Sequence, residues 1–117
     1  MHAATPAPPT ARAPVCAIVV TYHPDRDIAD RLERILAQVD ATFVVDNGSS
    51  DAELRMLRDA AAGRAVTLLC NHENLGVATA LNVGVRRALA DGFTWALLLD
   101  QDTDADPDIE RDRKSVV

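Results

Sequence analysis

Four short apolar runs constrain this chain most: Val15–Val20 (VCAIVV), Thr42–Val45 (TFVV), Val66–Cys70 (VTLLC) and Trp95–Leu99 (WALLL). Each has the length of a strand and is dominated by β-branched or large aliphatic residues, as expected of strands buried on both faces of a parallel sheet. Between them the periodicity turns helical. Ile28, Leu32, Ile35 or Leu36 and Val39 predict a helix from about Asp25 to Gln38, and Leu54, Leu57 and Ala61 line a second that Gly63 ends. Val77, Leu81, Val85 and Ala88 or Leu89 stripe a third, from Gly76 to Asp91, closed by Gly92. Such alternation is the pattern of an α/β fold with a parallel sheet and right-handed crossovers. Ligands of these sheets bind at the carboxyl ends of the strands. The polar clusters fall there: Thr21-Tyr22, Asp46-Asn47, Asn71 to Asn74 and Asp100 to Asp102.

With 117 residues, one small domain is the ceiling, and 48% hydrophobic with 26% charged residues is a soluble globular composition. A formal charge of -6 excludes a phosphate-backbone binder, so nucleic acid is not an expected partner. No apolar run approaches the roughly 20 residues that span a bilayer, and no signal-like segment opens the chain, so the expected location is the cytoplasm. Cys16 and Cys70 lie outside any C-x-x-C pattern and read as small buried hydrophobes, while His2, His23 and His72 lack ligand spacing and read as loop or solvent residues. Residues 1–14, rich in Pro and Ala, read as a disordered leader. The end differs again: Lys114 is the sole lysine, and DRKSVV has neither strand nor helix logic. That stretch resembles the translation of a common sequencing-adapter sequence, and residues 109–117 are expected to be a non-native or disordered tail.

Chemistry concentrates at Asp100-Gln101-Asp102, directly after an apolar run. Two carboxylates at i and i+2 in an extended segment can hold a hard divalent cation, which favours oxygen ligands and shares its shell with phosphates. An acidic loop capping a strand explains the same residues. An EF-hand starting at Asp100 would want Gly and Glu where Ala105 and Arg111 stand. A haloacid-dehalogenase-type phosphatase would want Thr or Val at Asp104 and its motif after the first strand. A Walker B carboxylate needs a P-loop, and the chain has none. In Val44 to Asp51 (VVDNGSSD), Asp46 is an ionised acceptor that could take the imide N–H of a uracil or thymine ring. A strand-to-helix turn with Asx and Ser caps accounts for it equally. Asn74 to Gly84 spaces Gly and Ala for close approach at a helix start, by a ligand or by a packing neighbour.

Taken in order, VVTYHPD, VVDNGSSD, NLGVATALNVGV and LLLDQDTD resemble the family 2 glycosyltransferases, and within them the bacterial rhamnosyltransferase-like group, over about residues 15 to 108. The resemblance implies a GT-A (Rossmann-like) nucleotide-diphospho-sugar-binding half, a parallel sheet with flanking helices, truncated after the metal motif. Residues 15–108 would be that incomplete domain. It implies that Thr21 and Tyr22 line the nucleotide pocket, that Asp46, beside Asn47, hydrogen-bonds the base, and that Asn74 with Gly76 borders the nucleotide. Asp100 would face the ribose or the metal, and Asp102 would coordinate Mn²⁺ or Mg²⁺ on the donor diphosphate. The implied partners are dTDP-rhamnose or a UDP-sugar and a glycan or lipid-linked acceptor, with membrane-surface association of the full-length protein at the inner face. The implied reaction is an inverting transfer. Its general base lies well downstream of the Asp-x-Asp in the family, and Asp104, Asp106 and Asp108 follow the motif too closely to serve. The chain is therefore expected to bind donor without completing transfer. Its rivals are a non-catalytic nucleotide-binding module and a phosphatase using Asp100. A shortened sheet also predicts self-association through an apolar edge.

Overall fold

The computed structural model describes residues 13–101 and 114–115. Strands and helices alternate as β1 (Val15–Thr21), α1 (Ile28–Leu36), β2 (Ala41–Asp46), α2 (Asp51–Ala61), β3 (Val66–Cys70), α3 (Val77–Ala90) and β4 (Trp95–Asp100), followed by β5 (Lys114–Ser115). The sheet order is β3-β2-β1-β4-β5. The first four strands are parallel, with Val20 opposite both Val45 and Asp100.

Strand alternation sorts the core into two layers. Val15, Ala17 and Val19 of β1 pack with Ile35, Val39 and Leu97 on one face. Cys16 and Ile18 turn to the other, among Phe43, Val45, Ala80 and Ala88. Val44 joins Ile28, Leu32, Leu54, Leu57 and Ala60, so α1 and α2 share the first face while α3 covers the second. Right-handed crossovers require this: β1 to β2 to β3 steps one way across the sheet, and β3 to β4 steps back over β1, which moves its helix to the opposite face.

Local chemistry trims the predicted helices. Asp25 Oδ1 accepts the Asp27 N–H at 3.0 Å, and the Asp25 carbonyl accepts the Ile28 N–H at 3.2 Å, so a turn occupies residues 25–27 and α1 starts at Ile28. In α2, Ser50 Oγ accepts from Glu53 N–H and Glu53 Oε1 accepts from Ser50 N–H, a reciprocal capping box. At the end of α3, Gly92 N–H donates to the Leu89 carbonyl and Phe93 N–H to that of Ala88, a Schellman pair.

The buried stripe of α3 is rotated from the predicted one. Ala80, Gly84 and Ala88 are buried, whereas Val77 is 58% exposed. The cause is close approach: a Cβ on Gly84 would stand 2.5 Å from Ile18 Cγ2 and 3.1 Å from Val45 Cγ2. A helix seated that near a sheet presents its smallest residues, and the larger ones flank the contact.

The tail meets the sheet at two residues. Lys114 and Ser115 form an antiparallel pair of bridges with Ala96 and Trp95, although the sequence shows no strand pattern there. Ladder bonds are made by backbone groups, so an open strand edge can recruit a segment without β pattern. The rest of 109–117 and residues 1–12 lie outside the described residues. Both cysteines are free, and burial pushes the Cys16 thiol up to about 11. Among the described residues, no helix is long and apolar enough to cross a membrane.

Candidate functional site

Sheet order reverses at β1, whose neighbours β2 and β4 are reached by crossovers in opposite directions; this is the switch point where open α/β sheets form a crevice. A cleft of about 330 Å³ opens there. Val20 and Thr21 line it from β1 and Tyr22 from just beyond it, Asn47 from the exit of β2, Asn74 and Val77 from the approach to α3 and its first residue, and Asp100 and Gln101 from the end of β4. Pleating assigns the sides. Val20 and its register partner Asp100 belong to the α3 face, while Thr21 and Asp46, paired across β1 and β2, follow Val19 and Val44 onto the α1–α2 face.

That geometry relocates Asp46. It is 1% exposed, and its carboxylate accepts from Thr21 Oγ1 (2.7 Å), Gly48 N–H (3.1 Å), Ser49 N–H (2.8 Å) and Ser49 Oγ (2.6 Å). A carboxylate offers about four acceptor positions, and all are taken by the protein. Asp46 is therefore not an open acceptor for a base; it ties the end of β1 to the turn after β2. Thr21 lines the cleft while its hydroxyl serves that tie.

Asn47, next along the chain, points the other way and is 2% exposed. Its Oδ1 accepts from Asn71 Nδ2 (3.1 Å) and Leu75 N–H (3.2 Å), and its Nδ2 donates to Asn74 Oδ1 and the Gly76 carbonyl, both at 3.2 Å. One buried amide thus joins the exits of β2 and β3 to the start of α3. Gly76 N–H also donates to Asn74 Oδ1 at 2.9 Å. Both donors fix the orientation of the Asn74 amide, which leaves Nδ2 as the group to offer at the cleft. Gly76 holds φ 83, a left-handed value suited to glycine, and caps α3 without a side-chain bond.

The turn after β1 carries residues whose part was not apparent from spacing. Gln101, the middle residue of the Asp-x-Asp, accepts the Tyr22 N–H at 2.8 Å and donates through Nε2 to the Tyr22 carbonyl at 3.2 Å, extending the β1–β4 pairing with a side chain. His23, expected to be a plain loop residue, has φ 48 and donates its N–H to Ser49 Oγ at 2.9 Å. Its Nδ1 lies 2.8 Å from Glu53 Oε1. That bond, with those from Ser50, holds the Glu53 carboxyl down at about 2. Glu53 had a visible signal in the Ser50-x-x-Glu53 spacing of a capping box; its partnership with His23, thirty positions away, had none.

Asp100 sits at the cleft with an exposed side chain, while Asp102 lies outside the described residues. Among the described residues, no three His, Cys, Asp or Glu side chains gather around a common point. An exposed carboxylate at a strand end nonetheless suits a hard cation whose shell is completed by a second carboxylate, water and ligand phosphates.

A family model for glycosyl transferase family 2 matches residues 16–111. The chain is 38% identical to galactofuranosyltransferase GlfT1 of Mycobacterium tuberculosis over 75% of its own length and 30% of that protein. It is 37% identical, with the same coverage, to the GlfT1 of Mycolicibacterium smegmatis. It thus spans about 30% of the length of these curated relatives. Among solved structures, it superposes on a Pyrobaculum calidifontis mannosyltransferase in complex with GDP-Man and Mn²⁺ with a TM-score of 0.70 and 32% identity, over 82% of this chain and 29% of that one. Residues 1–349 of TarS from S. aureus share the fold, with a TM-score of 0.67 and 23% identity over 85% of this chain and 30% of that one.

Proposed function

From a chain that belongs to glycosyl transferase family 2, we propose a cleft that binds the nucleoside-diphosphate part of a sugar donor together with Mn²⁺ or Mg²⁺ held by Asp100 and Asp102. The observation that carries this reading is the meeting of Tyr22, Asn74 and Asp100 at one switch-point cleft: an aromatic face, an amide and an exposed carboxylate. The likeness to a mannosyltransferase solved in complex with GDP-Man and Mn²⁺ supports it.

Each side chain has a distinct part. The Tyr22 ring offers a stacking surface for the nucleobase, and Asn74 Nδ2 offers a donor to the base or ribose. Thr21 and Asn47 in the wall, and Asp46 behind it, hold the strand ends and the start of α3 in register. A cation held by Asp100 and Asp102 would supply charge neutralisation for the donor diphosphate. For the sugar, the relatives' names read galactofuranosyl and mannosyl, so the donor is proposed as a nucleoside-diphosphate hexose without narrowing to rhamnose. The proposed acceptor is a glycan or lipid-linked sugar. The proposed transfer is inverting, and no described residue is assigned as its general base.

Calorimetric titration of the chain with UDP, dTDP and GDP, with and without Mn²⁺, tests the site. Metal-dependent binding of at least one nucleotide is expected, weakened on the order of tenfold or more by Asp100→Asn. Metal-independent binding, or none, would overturn the reading.

A further inference from the structure

The site described above does not account for the conformation of His23. A non-glycine residue stays in left-handed backbone only where its surroundings over-determine it, and three contacts do so here. The His23 N–H donates to Ser49 Oγ at 2.9 Å, Nδ1 donates to Glu53 Oε1 at 2.8 Å, and the ring lies 4.1 Å from the Tyr22 ring, centroid to centroid, at 47°. Glu53 is itself fixed, because the same Oε1 accepts the Ser50 N–H at 2.8 Å in the first turn of α2. A continuous chain of contacts therefore runs from a helix terminus through Glu53 and the imidazole to the one aromatic ring that lines the cleft among the described residues.

Tyr22 needs such a support. Gln101 holds its backbone at both N–H and C=O, but its side chain is 46% exposed at the end of a strand. An aromatic side chain so exposed samples several rotamers unless something packs beside it. We propose that His23 is a positioning residue for ligand binding: anchored by Glu53, its imidazole holds the Tyr22 ring in the orientation on which the donor nucleobase stacks. The proposal rests on the donor-site reading of the cleft.

Tyr22 is the only tyrosine of the chain, so 3-fluorotyrosine gives a single ¹⁹F resonance from this ring. His23→Gly retains a residue at ease in left-handed backbone and removes the imidazole; His23→Asn, also tolerant of that region, is the second variant in case the first fails to fold. Glu53→Gln keeps an oxygen acceptor for His23 and Ser50. In the full chain with Mn²⁺ and UDP, dTDP or GDP, either His23 variant is expected to move the ¹⁹F resonance and weaken binding roughly three- to tenfold, the scale of one aromatic contact, with the melting temperature near that of the parent. Glu53→Gln, which keeps that acceptor, is expected to leave both readouts near those of the parent. An unmoved resonance, or parental affinity in a folded His23 variant, overturns the positioning role and leaves the donor site standing. A parent chain that binds none of the three nucleotides sinks the donor site, and this proposal with it.

Discussion

Asp46 and Asn47 are adjacent in the chain, and the sequence presents them as one polar cluster. In the fold they serve opposite faces. Pleating turns Asp46 with Val44 toward α1 and α2, where four donors from Thr21, Gly48 and Ser49 take up its carboxylate. Asn47 turns toward α3 and joins Asn71, Asn74, Leu75 and Gly76. Period two was legible at this point, since Asp46 stands two residues after a core valine; which face holds the cleft was not. Removing the carboxylate strands buried donors, so Asp46→Ala is expected to cost about 2–4 kcal/mol in urea unfolding. Weakened nucleotide binding at an unchanged urea midpoint would instead return Asp46 to the base-contacting role first read from it.

At the level of elements, α3 shows how packing overrides a hydrophobic stripe. Its run of Gly and Ala admits two readings from sequence, ligand approach or helix packing, and the fold divides them. Asn74 and Gly76 form the end of the run near the cleft, while Ala80, Gly84 and Ala88 let the helix settle onto β1 and β2. Gly84→Ala gains about 1 kcal/mol of helix propensity. The new methyl would meet Ile18 Cγ2 at 2.5 Å, and overpacking of a buried site costs about 1–3 kcal/mol. The substitution is expected to destabilise in chemical unfolding, and to become neutral or stabilising when Ile18→Ala has already cleared the space. Equal effects in both backgrounds would show that contact to be unimportant.

For the whole molecule, the outer edge of β4 decides how the chain behaves in solution. Among the described residues, Trp95 and Ala96 pair with Ser115 and Lys114, and no strand pairs outside Leu97 and Leu98. Leu98 stands beside this edge on the α3 face, 42% exposed. An unpaired edge next to an apolar side chain is a template for another chain. Size-exclusion elution that shifts to larger species with concentration is therefore expected, and Leu98→Lys is expected to shift it back toward monomer. A parent chain that elutes as a monomer at every concentration would rule this out.

The first four strands, their alternation with helices, their parallel pairing and the clustering of polar residues at the carboxyl ends all followed from the sequence. Each depends on local composition and period: VCAIVV and VTLLC are apolar whichever neighbour they pair with, and Asp46, Asn71 and Asp100 each stop or follow such a run. Tertiary structure alone decided which side each polar group faces, which residues of α3 are buried, and that His23 meets Glu53 across 30 positions. Those outcomes depend on strand register, on how near a helix can approach the sheet, and on a left-handed turn set by its contacts. None of these is a property of neighbouring residues.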